Sequence, residues 1–121
     1  MSDTPAPPPV NIEKVGTALV ARPQVKLLDE ASFKALKRAL EDAGGNDAAV
    51  PLIVIDLSRV AILPSLALGR LVELASACKS RQQTLKLAAL QPQIQKVFSV
   101  TRLDTVFPIV ETVEGAVGGN A

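Results

Sequence analysis

The stretch from Leu52 to Leu57, with the sequence LIVIDL, limits the possible folds more than any other part of the chain. It is a nearly unbroken apolar run rich in β-branched residues. Runs of this kind are typical of central strands that are covered on both faces of a sheet. We therefore expect the flanking sequence to supply neighbouring strands and covering helices.

Two strands are predicted before this run. Val10–Val15 alternates apolar and polar residues, the pattern of a half-buried strand, and Thr17–Ala21 reads as a second strand. Gly16 separates them, which predicts a hairpin. Pro23 is expected to end the second strand because proline lacks the N–H that a sheet ladder needs.

A helix is predicted between this hairpin and the central strand. Asp29 is placed to cap it, and the helix should run to about Ala43 with Phe33, Leu36 and Leu40 on one face. Glycines that follow Ala43 permit the left-handed conformation that commonly ends a helix.

After the central strand the same alternation of helix and strand continues. The expected elements are a loop 58–64, a helix Ser65–Ser80, a strand Thr84–Leu90, a helix opened by Pro92, a strand Phe107–Val110 and a short helix Thr112–Val117. The order β-β-α-β-α-β-α-β(-α) predicts one α/β domain with a mixed sheet of about five strands and helices packed on it. We expect a domain over 10–117, a flexible proline-rich tail over 1–9 and a flexible tail over 118–121.

The composition argues against most catalytic and nucleic-acid functions. The chain has no His and a single cysteine, Cys78, so it can form neither a Ser-His-Asp triad nor a multi-thiolate metal cluster. It contains no glycine-rich phosphate loop. The net charge is +1, with no Trp, no Tyr and three Phe, which gives no basic, base-stacking surface for nucleic acid. We therefore expect no enzyme activity, no cofactor and no nucleic-acid partner.

The sequence also indicates a soluble, cytoplasmic protein. The N-terminus lacks the basic and apolar regions of a secretory signal. The longest apolar stretch, around Ala48 to Ile55, is too short to span a bilayer. A lone cysteine suits a reducing compartment. We expect no association with a membrane.

Three strings in this order resemble the STAS family of anti-sigma factor antagonists. They are Ile53 to Val60 (IVIDLSRV), Ile62 to Leu71 (ILPSLALGRL), and the stretch from Lys86 to Val110 that contains Leu103-Asp104. The family has a strand ending in Asp-Leu-Ser, then a helix start of the form Asp-Ser-Ser-Gly-Leu-Gly, then a strand, a helix and a Leu-Asp turn. The resemblance covers roughly residues 10–117.

The resemblance implies a regulatory protein that works by partner switching. Such an antagonist binds an anti-sigma factor and frees a sigma factor. The anti-sigma factor, acting as a serine kinase, phosphorylates a serine at the start of the second helix and breaks the contact, and a serine phosphatase restores it. Alignment places Ser65 at the phosphoacceptor position. The predicted partner-binding residues are Val25, Leu28, Leu63, Pro64, Leu66 and Arg70.

The alternative for Ser65 is a purely structural role. As an N-cap, its hydroxyl would accept a hydrogen bond from a first-turn N–H and stabilise the helix by about 1 kcal/mol. Departures from the family pattern favour this alternative: Pro64 replaces the acidic residue, Leu66 the second serine and Ala67 the glycine. The chain would then be a non-phosphorylated STAS scaffold or a constitutive protein-binding module of the stressosome type.

Three further residues have both a functional and a structural interpretation, and a fourth, Gly69, has a structural one. Asp56 and Ser58 follow a central strand, where active sites are common in α/β sheets, but such residues more often satisfy loop backbone. Gly69 is expected to allow close packing of its helix on the sheet. Cys78 lies on the apolar stripe of that helix, which indicates a core residue rather than a redox site.

Overall fold

The computed structural model describes residues 10–45, 47 and 49–118. The predicted tail over 1–9 lies outside this range, as do residues 119–121 of the predicted C-terminal tail. The strands are β1 (Val10–Val15), β2 (Ala18–Pro23), β3 (Leu52–Asp56), β4 (Thr84–Ala88) and β5 (Ile109–Val110). The helices are α1 (Glu30–Asp42), α2 (Ser65–Ser80), α3 (Pro92–Val100) and α4 (Val113–Gly118), with a 3-10 turn at Leu103–Thr105.

The five strands form one mixed sheet in the order β1-β2-β3-β4-β5. β1 pairs antiparallel with β2, and every later pair is parallel. The predicted α/β fold class is therefore confirmed. Because the strand order follows the chain without reversal, the sheet has no topological switch point, which is where open α/β sheets usually form a ligand crevice.

The central strand is buried on both faces, as its sequence predicts. Ile53 and Ile55 belong to a large core that includes buried residues of α1, α2 and α3. Val54 belongs to a smaller cluster on the other face, where Val113 and Ala116 of α4 pack. Successive residues of a strand point to opposite faces, so the apolar run of β3 supplies both cores.

Three strand boundaries differ from their predicted positions by two residues, and the other strand ends agree within one residue. Pro23 is the last residue of β2 and pairs with Val10 of β1. The pairing between β2 and β3 already ends at Ala21, so the missing N–H of Pro23 costs no hydrogen bond to β3. β4 ends before Ala89, which adopts a φ of 59° and turns the chain away. β5 begins after Phe107, whose ring packs into the core against Phe98 with centroids 5.7 Å apart.

The helix ends follow their sequence signals closely. Asp29 is the N-cap of α1, and its side chain accepts a hydrogen bond from the backbone N–H of Ser32. This bond holds the pKa of Asp29 below its usual value. Beyond the end of α1, Gly44 has a φ of +86°, a left-handed conformation that glycine adopts without strain.

The buried polar side chain of Gln83, which has no distinguishing signal in the sequence, holds a loop in place. Gln83 is 5% exposed, and its Nε2 donates to the carbonyl oxygens of Gly45 at 2.6 Å and Val50 at 2.8 Å, with Asp47 at 3.2 Å. Its Oε1 accepts from Arg81. The amide therefore fixes the segment between α1 and β3 against the end of α2.

Candidate partner-binding surface around Ser65

Two loops lie side by side at the carboxyl ends of β2 and β3. The backbone N–H of Leu28 donates to the carbonyl of Ile62 at 3.1 Å. The N–H groups of Ala61 and Ile62 donate to the carbonyl of Lys26 at 2.8 Å and 2.9 Å. These bonds form a short parallel bridge between Leu27 and Ile62, so the loop before α1 and the loop before α2 are held in one arrangement.

In each of two pairs of adjacent apolar residues, this bridge leaves one side chain exposed and the other buried. Leu27 is 41% exposed and Ile62 is 56% exposed, whereas Leu28 is fully buried and Leu63 is 8% exposed. Alternation of neighbouring side chains follows from the extended backbone. Leu28 and Leu63, both predicted to contact a partner, thus have their side chains in the core. The exposed members, Leu27 and Ile62, were missing from the predicted set.

The exposed residues continue onto the first turn of α2. Ser65 is exposed, and Leu66 is 57% exposed. Three of the five large hydrophobic side chains found exposed in the described residues are therefore at this one place: Leu27, Ile62 and Leu66. We call these three side chains together with Ser65 the Ser65 surface. Of the other predicted contact residues, Val25 and Pro64 are half-buried.

The N-terminus of α2 is open. Pro64, not Ser65, is the N-cap residue, and no side chain caps this end in the described residues. Ser65 is the first helical residue, so the structural alternative of an N-cap serine is wrong. Proline fits here because its backbone, with φ −64° and ψ 158°, leads into the helix and its carbonyl accepts from Leu68 N–H at 3.1 Å. The first-turn N–H groups and the positive end of the helix dipole accordingly point outward beside Ser65.

Gly69 lies on the same exposed face of α2, since residues three and four apart on a helix are neighbours. Apart from its chain neighbours and the backbone of its own helix, a Cβ added to Gly69 would meet no atom within 4 Å. The prediction that this glycine allows close packing on the sheet is wrong, because its open side faces solvent.

Arg70 is half-exposed but already paired. Its Nη2 lies 3.1 Å from Glu30 Oε2 at the start of α1, and its Nη1 lies 3.3 Å from Glu73 Oε1. The hydrogen bond with Glu30, together with that to Glu73, raises the pKa of Arg70. This ion pair links α1 to α2 and compensates the charge that was expected to meet an acidic partner.

Asp56 and Ser58 serve the backbone of the loop. Asp56 Oδ1 accepts from the N–H of Ser58 at 2.9 Å, and Asp56 Oδ2 lies 3.3 Å from Arg22 Nε. The carbonyl of Ser58 accepts from Gln91. The structural interpretation of Asp56 is therefore confirmed, and so is that of Cys78, which is fully buried in the core; the bonds of Ser58 involve its backbone atoms.

Across the described ranges, no cluster of three or more His, Cys, Asp or Glu side chains could hold a metal ion. Among those same residues, no helix combines the length and the apolar character that crossing a membrane requires.

Comparison with known proteins identifies the family. Residues 25–111 match the family model described as Mlab, STAS domain, which spans well over half of the chain. The chain therefore belongs to the STAS domain family.

Solved structures of anti-sigma factor antagonists share the fold. The STAS domain antagonist of Planctomyces limnophilus superposes with a TM-score of 0.75 at 22% identity, over 91% of this chain and 96% of that chain. The antagonist of Mycobacterium paratuberculosis gives 0.72 at 24% identity, over 91% of each chain. Phosphorylated SpoIIAA, a Bacillus cell fate determinant, gives 0.69 at 19% identity, over 93% and 99%. Antagonists of the STAS domain family are generally non-enzymatic.

Proposed function

We propose that this protein is an anti-sigma factor antagonist that binds an anti-sigma factor through the Ser65 surface, and that phosphorylation of Ser65 controls this binding. The observation that carries the proposal is an exposed serine at the first position of α2, surrounded by exposed Leu27, Ile62 and Leu66. The similarity to antagonists, one of which was solved in a phosphorylated form, supports it.

A phosphate at this position would act on the partner more than on the fold. The uncapped end of α2 offers free N–H groups and a partial positive charge, so the folded chain tolerates an anion there. The same group adds a charge of about −1.5 to −2 beside three apolar side chains. A partner that buries those side chains would have to desolvate that charge, which opposes binding.

The proposed partner is an anti-sigma factor with serine kinase activity, and a serine phosphatase would reverse the modification. We place the protein in the cytoplasm, where such partners act. The protein itself contributes a phosphoacceptor and a docking surface, and no catalytic step is assigned to its own residues.

A second function is favoured by Pro64. Because the N-cap residue is proline, no acidic side chain precedes Ser65 to orient its hydroxyl or accept its proton. A chain that has lost the switch would be a STAS scaffold or constitutive binding module, as in a stressosome, and it would use the same apolar surface without phosphorylation.

Two measurements separate these functions. Intact mass and fragment mapping of the protein from its own cells, with phosphatases inhibited, should find a phosphate on Ser65. In binding assays with the anti-sigma factor recovered by affinity capture, Ser65→Asp should weaken binding by at least about tenfold. Ser99→Asp, which places the same charge at an exposed position of α3, is the matched control. An unmodified Ser65 together with unchanged affinity of Ser65→Asp would favour the scaffold.

A further inference from the structure

A groove runs between α1 and α2, next to the Ser65 surface. Its first compartment has a volume of about 210 Å³ and is lined by the apolar side chains Phe33, Leu74 and Ala77. A second compartment of about 200 Å³ follows, and the two share Lys37, Leu74 and Ala77. The groove is therefore continuous along α1 from Glu30 to Glu41, a length of about 17 Å, or three helical turns.

The charges around this groove are unevenly paired. At one end Arg70 pairs with both Glu30 and Glu73, so that end of the groove carries one carboxylate in excess. Along the wall, Lys34 and Lys37 are exposed, and among the described residues no carboxylate lies within 4.0 Å of either ammonium group.

The far end of the groove is basic as well. Arg81 lines it and donates to the neutral amide of Gln83. Within the part of the chain that the structure describes, no carboxylate lies within 4.0 Å of its guanidinium. Glu41 is the acidic residue at that end. The lining of the groove therefore carries four cations and three carboxylates, a net charge of +1, and three of the four cations lie outside the Arg70 ion-pair cluster.

We propose that this groove docks an acidic amphipathic helix of a partner protein. An apolar trough between two helices accepts the apolar face of a third helix, with anchors at i, i+3, i+4 and i+7. Glutamates beside those anchors would face Lys34, Lys37 and Arg81. This proposal goes beyond the function proposed for Ser65, because it concerns a second surface and does not require phosphorylation.

The test uses a peptide of about twelve residues, acetylated and amidated, with leucines at helical spacing and glutamates elsewhere. A matched peptide carries lysines in place of the glutamates. Titration into the ¹⁵N-labelled full chain should shift backbone amide signals along Phe33–Lys37 and Leu74–Ala77. The glutamate peptide should bind more tightly than the lysine peptide, and added salt should weaken its binding.

Charge-reversal variants test the basic wall. The double variant Lys34→Glu/Lys37→Glu should weaken binding of the glutamate peptide by roughly tenfold. Lys79→Glu/Lys96→Glu, at exposed lysines outside the groove, should leave binding unchanged. Ser65→Ala should also leave it unchanged, which separates this proposal from the phosphorylation switch.

Several outcomes would overturn the proposal. They are an absence of groove shifts at about 1 mM glutamate peptide, equal binding of the lysine peptide, and equal losses in the two double variants. Shifts of the same amides with protein concentration alone would identify a second copy of the chain as the occupant and would overturn it too.

Discussion

Replacement of Gly69 by alanine should stabilise the protein. Gly69 lies in the interior of α2, and a Cβ added there meets no atom within 4 Å beyond its chain neighbours and the backbone of its own helix. The substitution therefore neither clashes nor fills a cavity, and only the helical preference changes. Glycine in a helix interior is less favourable than alanine by about 0.8–1.0 kcal/mol. For a domain of this size, that gain corresponds to a rise in Tm of roughly 4 °C.

A second glycine provides the matched control. Gly16, in the turn between β1 and β2, also has no atom within 4 Å of an added Cβ, but its φ is +62°. An alanine there must adopt the left-handed conformation, which costs about 1–2 kcal/mol. Both positions have room for the added methyl group, but the two substitutions should change the free energy of unfolding in opposite directions.

Urea unfolding followed by far-ultraviolet circular dichroism measures both changes. We expect Gly69→Ala to raise the free energy of unfolding and Gly16→Ala to lower it, with unchanged m-values. A loss of stability in Gly69→Ala, or a shift of both variants in the same direction, would refute the reasoning. If Gly69→Ala is more stable and yet binds its partner less tightly, the open face of this glycine is in contact with the partner.

Three other predictions concern the core and its edges. Gln83→Leu should lower the free energy of unfolding by about 1–3 kcal/mol in urea titrations, because buried carbonyls lose their donor; an unchanged midpoint contradicts this. Leu28→Ala should lower the free energy of unfolding by about 2–5 kcal/mol, whereas Leu66→Ala should change it by no more than about 0.5 kcal/mol and weaken partner binding. Equal losses of stability would contradict the difference in burial between these two side chains. Burial raises the pKa of the Cys78 thiol, so the folded chain binds its proton more tightly than the unfolded chain. Stability should therefore hold below about pH 8 and decline as the pH rises past about 8.5, and Cys78→Ala should remove that decline.

Much of the fold is predictable because its signals are local. β1, α1 and α2 begin and end within a residue of their predicted positions, since alternation, helical spacing and glycines mark them. The burial of β3 on both faces follows from composition alone. The start of β5 was not predictable from local signals, because Phe107 packs against Phe98 of the preceding helix instead of joining the strand.

The candidate site was predictable in its position but not in its side chains. In the pairs Leu27-Leu28 and Ile62-Leu63 both residues are large and apolar, so the sequence does not indicate which of the two is exposed. The backbone hydrogen bonds between the two loops decide this. A strand shifted by one residue would expose the opposite members.

Contacts between residues far apart in the sequence could not be predicted either. Arg70 meets Glu30, 40 positions earlier in the chain, so sequence spacing gives no indication that its charge is compensated. Gln83 looks like an ordinary polar residue before a strand, and its burial depends on three carbonyls from a loop that precedes it by more than 30 positions.

The hydrogen-bonded pair of loops beneath the Ser65 surface has a consequence for association kinetics. Because Lys26, Leu28 and Ile62 are already fixed to one another, the proposed partner would not have to order these loops as it binds. Association would therefore avoid part of the conformational entropy that flexible loops lose, and the encounter would lead directly to the bound state without a slow rearrangement. A phosphate on Ser65 would then act mainly by shortening the lifetime of the complex, so that release follows quickly after modification.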